Sequence, residues 1–151
     1  MRKVITTLST VVVALFCGCI TPRTDQASDH AGVRMAVLAH MVTNADAKGK
    51  LVCFVDLQPT ELERLLDLTG HRFLIAQSDE SEFTDQGVRL KRSKREGVLI
   101  KVEVANVHNG MGEAFGSYNQ GTSLGFAGFR YRLRYTLGAW HVVSSECTVA
   151  S

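Results

Sequence analysis

The heptad Phe129-Arg130-Tyr131-Arg132-Leu133-Arg134-Tyr135 alternates apolar side chains with arginine at a period of two. A helix would scatter those arginines over every side. A strand sends Phe129, Tyr131, Leu133 and Tyr135 to one face and the three cations to the other, so the sheet that contains it has one packed face and one wet face. The neighbouring sequence repeats the signal. Residues 98–107 alternate, with Ile100, Val102 and Val104 on one side and Lys101 and Glu103 on the other, and Asn109-Gly110 supplies a hairpin turn. Residues 113–119, 126–137 and 140–149 follow, separated by Gln120-Gly121-Thr122 and by Gly138. The carboxyl half thus reads as an antiparallel meander of four strands, with Trp140 in its core.

Upstream the period changes. Val33, Val37, Leu38, Met41 and Val42 recur at helical spacing within residues 29–45, and Ser28 or Asp29 is placed to cap the start. His40 falls at the flank of that stripe, the place of a packed histidine. After Lys48-Gly49-Lys50, residues 51–57 suit a strand. Pro59 then opens a short second helix with Glu61 in its first turn, Leu62, Leu65 and Leu66 on one face and Gly70 as its stop. Residues 73–76 predict another strand. Residues 78–85 are acid-rich, and Arg89, Lys91, Arg92, Lys94 and Arg95 follow closely, a pairing of opposite charge blocks that predicts a solvated, self-complementing loop. The 151 residues suit one domain. Two helices on one face of a curved antiparallel sheet define its class as α+β.

The first residues follow another logic. Arg2 and Lys3 precede an apolar run over residues 4–16, and small residues follow around Gly18, the order of an export signal. The run is shorter than the roughly 20 residues that span a bilayer. Its end, Phe16-Cys17-Gly18-Cys19, resembles the lipobox of bacterial lipoproteins, in which the cysteine takes the lipid and becomes the first residue of the mature chain. Gly18 and Cys19 fit that pattern. Phe16 and Cys17 depart from it, which keeps plain cleavage near residue 18 as the alternative. The expected organisation is a signal at residues 1–18, a polar tether at residues 19–28 and a single domain at residues 29–151. The product is expected to be exported: lipid-anchored in a bacterial envelope, facing the periplasm from the outer membrane if two membranes are present, or secreted.

Loss of Arg2 and Lys3 brings the 17 basic residues down by two, level with the 15 acidic ones. A chain without net positive charge lacks the electrostatic footprint of a nucleic-acid binder. Of the four cysteines, Cys17 leaves with the signal and Cys19 carries the lipid, so Cys53 and Cys147 remain as an even pair in an oxidising compartment. A disulfide between them is expected; it would close a loop of about ninety residues and add up to roughly 4 kcal/mol. Two separate buried thiols are the alternative. Neither cysteine has a second ligand at metal-binding spacing, so no metal site is predicted.

No GxSxG, HExxH, CxxC or Walker pattern occurs, no cofactor is implied and no catalytic residue is assigned. Gly110, Gly112 and Gly116 lack phosphate-loop spacing and read as turn and close-packing positions. Pro59-Thr60-Glu61-Leu62, Gly97-Val98-Leu99-Ile100-Lys101-Val102, Gly116-Ser117-Tyr118-Asn119-Gln120-Gly121, Gly128-Phe129-Arg130-Tyr131 and Gly138-Ala139-Trp140-His141-Val142-Val143 together resemble a group of small, uncharacterised exported bacterial proteins. More distantly, residues 50–150 are similar to the cone-shaped fold of nuclear transport factor two, the ketosteroid isomerases and the cystatin-like domains. The resemblance implies a cystatin-like cone in which the helices pack on the curved meander, and it implies no substrate.

Two functions fit this reading. The first is a non-enzymatic binding module of the envelope, held to the membrane by its lipid and taking a small ligand or another envelope protein. Its candidate contacts are Arg130, Arg132 and Arg134, about 7 Å apart along one strand face, with Tyr118 on a neighbouring strand. The competing account of that row is a solvated face on which the arginines meet Glu103, Glu113 or Glu146. The second is a small enzyme of the isomerase or dehydratase kind with a pocket inside the cone, using Asp56 or His141 as acid or base.

Overall fold

The structure is a computed structural model that describes residues 26–45, 51–121 and 125–150. Cys19, the suspected leader and most of the tether lie outside the described residues. Helix α1 spans Gln26–Ala45, so it begins inside the expected tether rather than after it. Asp29 is consequently not a cap. It lies in the first turn, where a carboxylate meets the positive end of the helix dipole.

Strand β1 (Val52–Val55) is buried along its whole length, which explains its unbroken apolar sequence. Helix α2 (Pro59–Leu68) starts at the proline, and the Gln58 N–H donates to the Glu61 carboxylate at 3.0 Å. Strand β2 (Leu74–Gln77) then pairs with β1 in parallel, Val52 opposite Leu74. β1 also runs parallel to β5 (Glu96–His108), with Val52 opposite Gly97. The expectation of a wholly antiparallel sheet is corrected here, since a strand buried on both faces and joined to its neighbour through α2 is a crossover unit.

The charge blocks also fold differently from the expected loop. Strands β3 (Ser81–Thr84) and β4 (Gly87–Leu90) form a hairpin, and β4 pairs with the start of β5. The self-complementation is present: the Lys94 ammonium sits 2.8 Å from the Glu82 carboxylate. The strands escaped notice because Phe83 faces out and Val88 is the hairpin's one buried large side chain among the described residues, too little contrast to show a period of two.

The meander is as expected: β5, β6 (Met111–Asn119), β7 (Phe126–Thr136) and β8 (Ala139–Ala150) pair in antiparallel succession. Asn109 and Gly110 both have positive φ, as a tight type I′ turn requires. The eight-stranded sheet runs β2-β1-β5-β6-β7-β8, with β4 and β3 off that path. Bulges near Val104, Phe129 and Leu133 bend the long strands, and the sheet curves around α1. Two glycines of β6 let the helix approach. A Cβ at Gly112 would stand 2.8 Å from Val33, and one at Gly116 would stand 2.8 Å from the Tyr131 ring and collide with the Met41 sulfur. The main core lies between α1, α2 and the concave face, from Val37, Met41 and Leu65 to Ile100, Tyr131 and Leu133. Trp140 is at the border of that core, half-buried, rather than inside it. A second core of Val52, Phe54, Val88 and Leu99 occupies the opposite face under the β3–β4 hairpin.

Candidate functional site: an aromatic cavity at the open end of the sheet

Helix α1 covers the concave face only as far as its last turn. Beyond it, β6, β7 and β8 leave a cavity of about 760 Å3, bounded by His40 and Asn44 of α1, by Tyr118 and Gln120, by Phe126, Phe129 and Tyr131, and by Ser145 and Ala150. Register explains the gathering. Ala127 stands opposite Tyr118 and Ala150, and Tyr131 stands opposite Ala114 and Ser145, so all point to the helix side.

The aromatic rings brace one another. Tyr118 meets Phe129 edge to face at 5.7 Å between centroids, and His40 meets Tyr131 in the same way at 5.7 Å. The Tyr118 hydroxyl donates to the Met41 carbonyl at 2.9 Å, on the inner face of α1. Burial pushes the Tyr118 phenol far up, with Tyr131 beside it adding to the effect, and burial likewise raises Tyr131. Burial pushes the His40 imidazole down. The wall is therefore neutral near pH 7, and no Asp, Glu, Lys or Arg is among its described lining residues. Its polar groups are amides, hydroxyls and one imidazole.

These shifts set a stability window. The unfolded chain takes up a proton on His40 more readily than the folded one, so stability is full above about pH 6.5 and is lost as the pH falls below it. The unfolded chain ionises Tyr118 and Tyr131 first, so stability is full below about pH 10 and falls as the pH rises further. Thermal melting followed against pH should show a plateau between these limits, and Tyr118→Phe should flatten its alkaline side. An unchanged alkaline fall in that variant would mean that the Tyr118 phenol reaches solvent.

The structure separates the residues expected to act together. Tyr118 lies on the concave face, whereas Arg130, Arg132 and Arg134 line the convex one. Arg130 Nε is 2.9 Å from Glu113 Oε1, its guanidinium lies 5.3 Å above the Phe115 ring, and Glu146 faces it across β8. The solvated-face account therefore holds for Arg130. Arg132 stands opposite Glu113 and Ser144, and Arg134 opposite Met111 and His141.

The expected disulfide is not formed. Cys53 is buried on β1 and Cys147 is exposed on β8. With β5, β6 and β7 between them, four strand steps of about 4.8 Å separate the two thiols across the sheet, beyond the about 7 Å between Cα atoms that a disulfide bridges. Asp56 and His141, the acid–base candidates, are both exposed and neither lines the cavity. The Asp56 carbonyl accepts from Arg34 at 2.8 Å, and Arg34 also meets Glu61 at 3.4 Å. No cluster of three or more metal-ligating side chains occurs among the described residues, and no described helix is long and apolar enough to cross a membrane.

Sequence reasoning missed Asn44, Gln120, Phe126 and Ser145, which lie at a helix end, in a connection, at a strand start and on the outer strand. One signal was available. Tyr118 and Tyr131 share a face with Leu133, and two phenols on a packed face require polar partners inside the domain. No family model, no curated protein and no solved structure matches this chain.

Proposed function

We propose that this chain is an exported, lipid-anchored envelope protein, a cystatin-like cone whose concave mouth binds a small, uncharged and largely apolar ligand without reacting with it. The observation that carries this reading is the cavity of about 760 Å3 with an aromatic wall free of formal charge among its described lining residues, a size and composition suited to small-molecule binding. A charged ligand would lose its hydration there without gaining a counter-ion. A neutral ring with one or two hydrogen-bonding groups would meet Tyr118, Asn44, Gln120 and Ser145 while its body packed on Phe126 and Phe129. Asp56 and His141 stand outside the cavity, which favours binding over acid–base chemistry. Gly18-Cys19 supports the anchor and, with it, the membrane as a partner.

Two variants test the reading. Cys19→Ser should move the protein from the membrane fraction to the soluble one, and its retention in the membrane would refute the anchor. The uncharged fluorophore N-phenyl-1-naphthylamine should brighten on binding the wild-type protein. Ala127→Phe, which fills the cavity from the floor, should weaken that binding at least about tenfold, or 1.4 kcal/mol, whereas Arg132→Ala should leave it unchanged. Equal titrations for Ala127→Phe and wild type would place the fluorophore elsewhere and sink the cavity as the binding site.

A further inference from the structure

The end of the sheet opposite the cavity has a different surface. The β5–β6 turn at Asn109-Gly110 and the β7–β8 turn at Leu137-Gly138 lie side by side, tied by the Tyr135 N–H donating to the Gly110 carbonyl at 2.8 Å. The amino-terminal half of α1 reaches the same end: a Cβ at Gly32 would stand 2.7 Å from the Trp140 indole, and Asp29 borders one groove with Gly138 and Trp140. The chain thus enters the domain beside the hairpin tips, while the last turn of α1 looks onto the cavity. Only six residues lie between Cys19 and Gln26, a stretch that spans about 25 Å at most when fully extended. A lipid on Cys19 would hold the tips, and not the cavity, close to the bilayer.

The chemistry of the tips fits that position. Leu137 is 103% exposed and has φ +53°, a backbone conformation that disfavours bulky L residues, and no burial of its side chain offsets it. Met111, opposite Arg134 at the same end of the sheet, is 59% exposed. Charge is graded along β7. Arg130, farthest from the tip, is met by Glu113 and Arg132 stands opposite that same carboxylate, whereas Arg134, nearest the tip, faces Met111 and His141 and has no carboxylate opposite it on either neighbouring strand. Asp29 is the carboxylate of the adjoining groove, and Arg64 of α2 lines that groove with it. An exposed apolar point beside a cation with no facing carboxylate is the pattern of a surface that rests in the headgroup layer of an anionic membrane.

We propose that this end is a membrane-docking surface, with Leu137 and Met111 in the headgroup region of an anionic bilayer, Arg134 against its phosphates and the cavity mouth turned away. The proposal rests on the lipid-anchored reading. It is tested by hydrogen exchange on the mature protein, reconstituted through its own anchor into vesicles of phosphatidylcholine and phosphatidylglycerol and compared with the same protein in detergent. Amides of residues 108–112 and 134–140 should exchange at least about fivefold more slowly on the vesicles, the factor that one cation contributes at such a surface, while those of residues 126–129 stay unchanged. Arg134→Glu with Leu137→Asp should abolish the difference and still float with the vesicles. A wild-type protein that does not float overturns the anchor and the docking together. One that floats, but whose tips exchange as fast on vesicles as in detergent, overturns the docking alone.

Discussion

Gly97→Ala should lower the stability of the folded protein by about 3 kcal/mol, the upper end of the usual cost of overpacking. Gly97 is the second residue of β5 and stands between two strands, opposite Val52 of β1 on one side and Val88 of β4 on the other. A methyl group there would collide with the Phe54 ring and with the Val52 carbonyl oxygen. The ring can turn aside, but the carbonyl is held in place by the parallel ladder between β1 and β5. Alanine would therefore push the two strands apart where both cores meet. Urea denaturation should show a lower midpoint with an unchanged slope. A loss below about 1 kcal/mol would mean that β1 and β5 are not in the register described.

Phe54→Ala should cost about 3–5 kcal/mol. Phe54 is fully buried among Val52, Val88 and Leu99, and its ring accounts for much of that second core. So small a cluster cannot collapse to fill the space, and the β3–β4 hairpin would lose the surface on which Val88 rests. The same variant should thus become sensitive to trypsin within residues 89–95, which carry five basic side chains. Phe83→Ala is the control: that ring is 58% exposed on the outer side of the hairpin, and its loss should change stability by no more than about 0.5 kcal/mol. Equal effects from the two phenylalanines would show that the hairpin does not cover the sheet. Trypsin resistance in Phe54→Ala would show that the hairpin is held by its own ladder and ion pairs.

The two substitutions probe the part of the fold that was least legible. The meander could be read from period-two patterns because its strands are nine or more residues long and, over much of β5, β6 and β7 and at the start of β8, residues facing α1 alternate with residues facing water. β1 and the β3–β4 hairpin carry no such contrast, one being buried on both faces and the other being largely polar. The candidate site divides in the same way. That the arginines of β7 share one face was legible, because it follows from alternation within a single strand. That Tyr118 lies on the other face was not, because it depends on the register between β6 and β7, which pairs Tyr118 with Ala127. The disulfide expectation failed for a related reason. An even number of cysteines says nothing about strand order, and strand order puts three strands between them.

Local alternation and helical spacing by themselves determined which residues form the long elements, which side of each is apolar and where the tight turns fall, because these depend on interactions between residues close along the chain. Only the tertiary structure decided that α1 stops short of the sheet's far end and leaves an aromatic cavity there, and that the helix start, Leu137 and Arg134 share the other end. Those juxtapositions join residues more than a hundred positions apart. They depend on strand order, curvature and the angle at which the helix crosses the sheet, none of which leaves a periodic trace in the sequence.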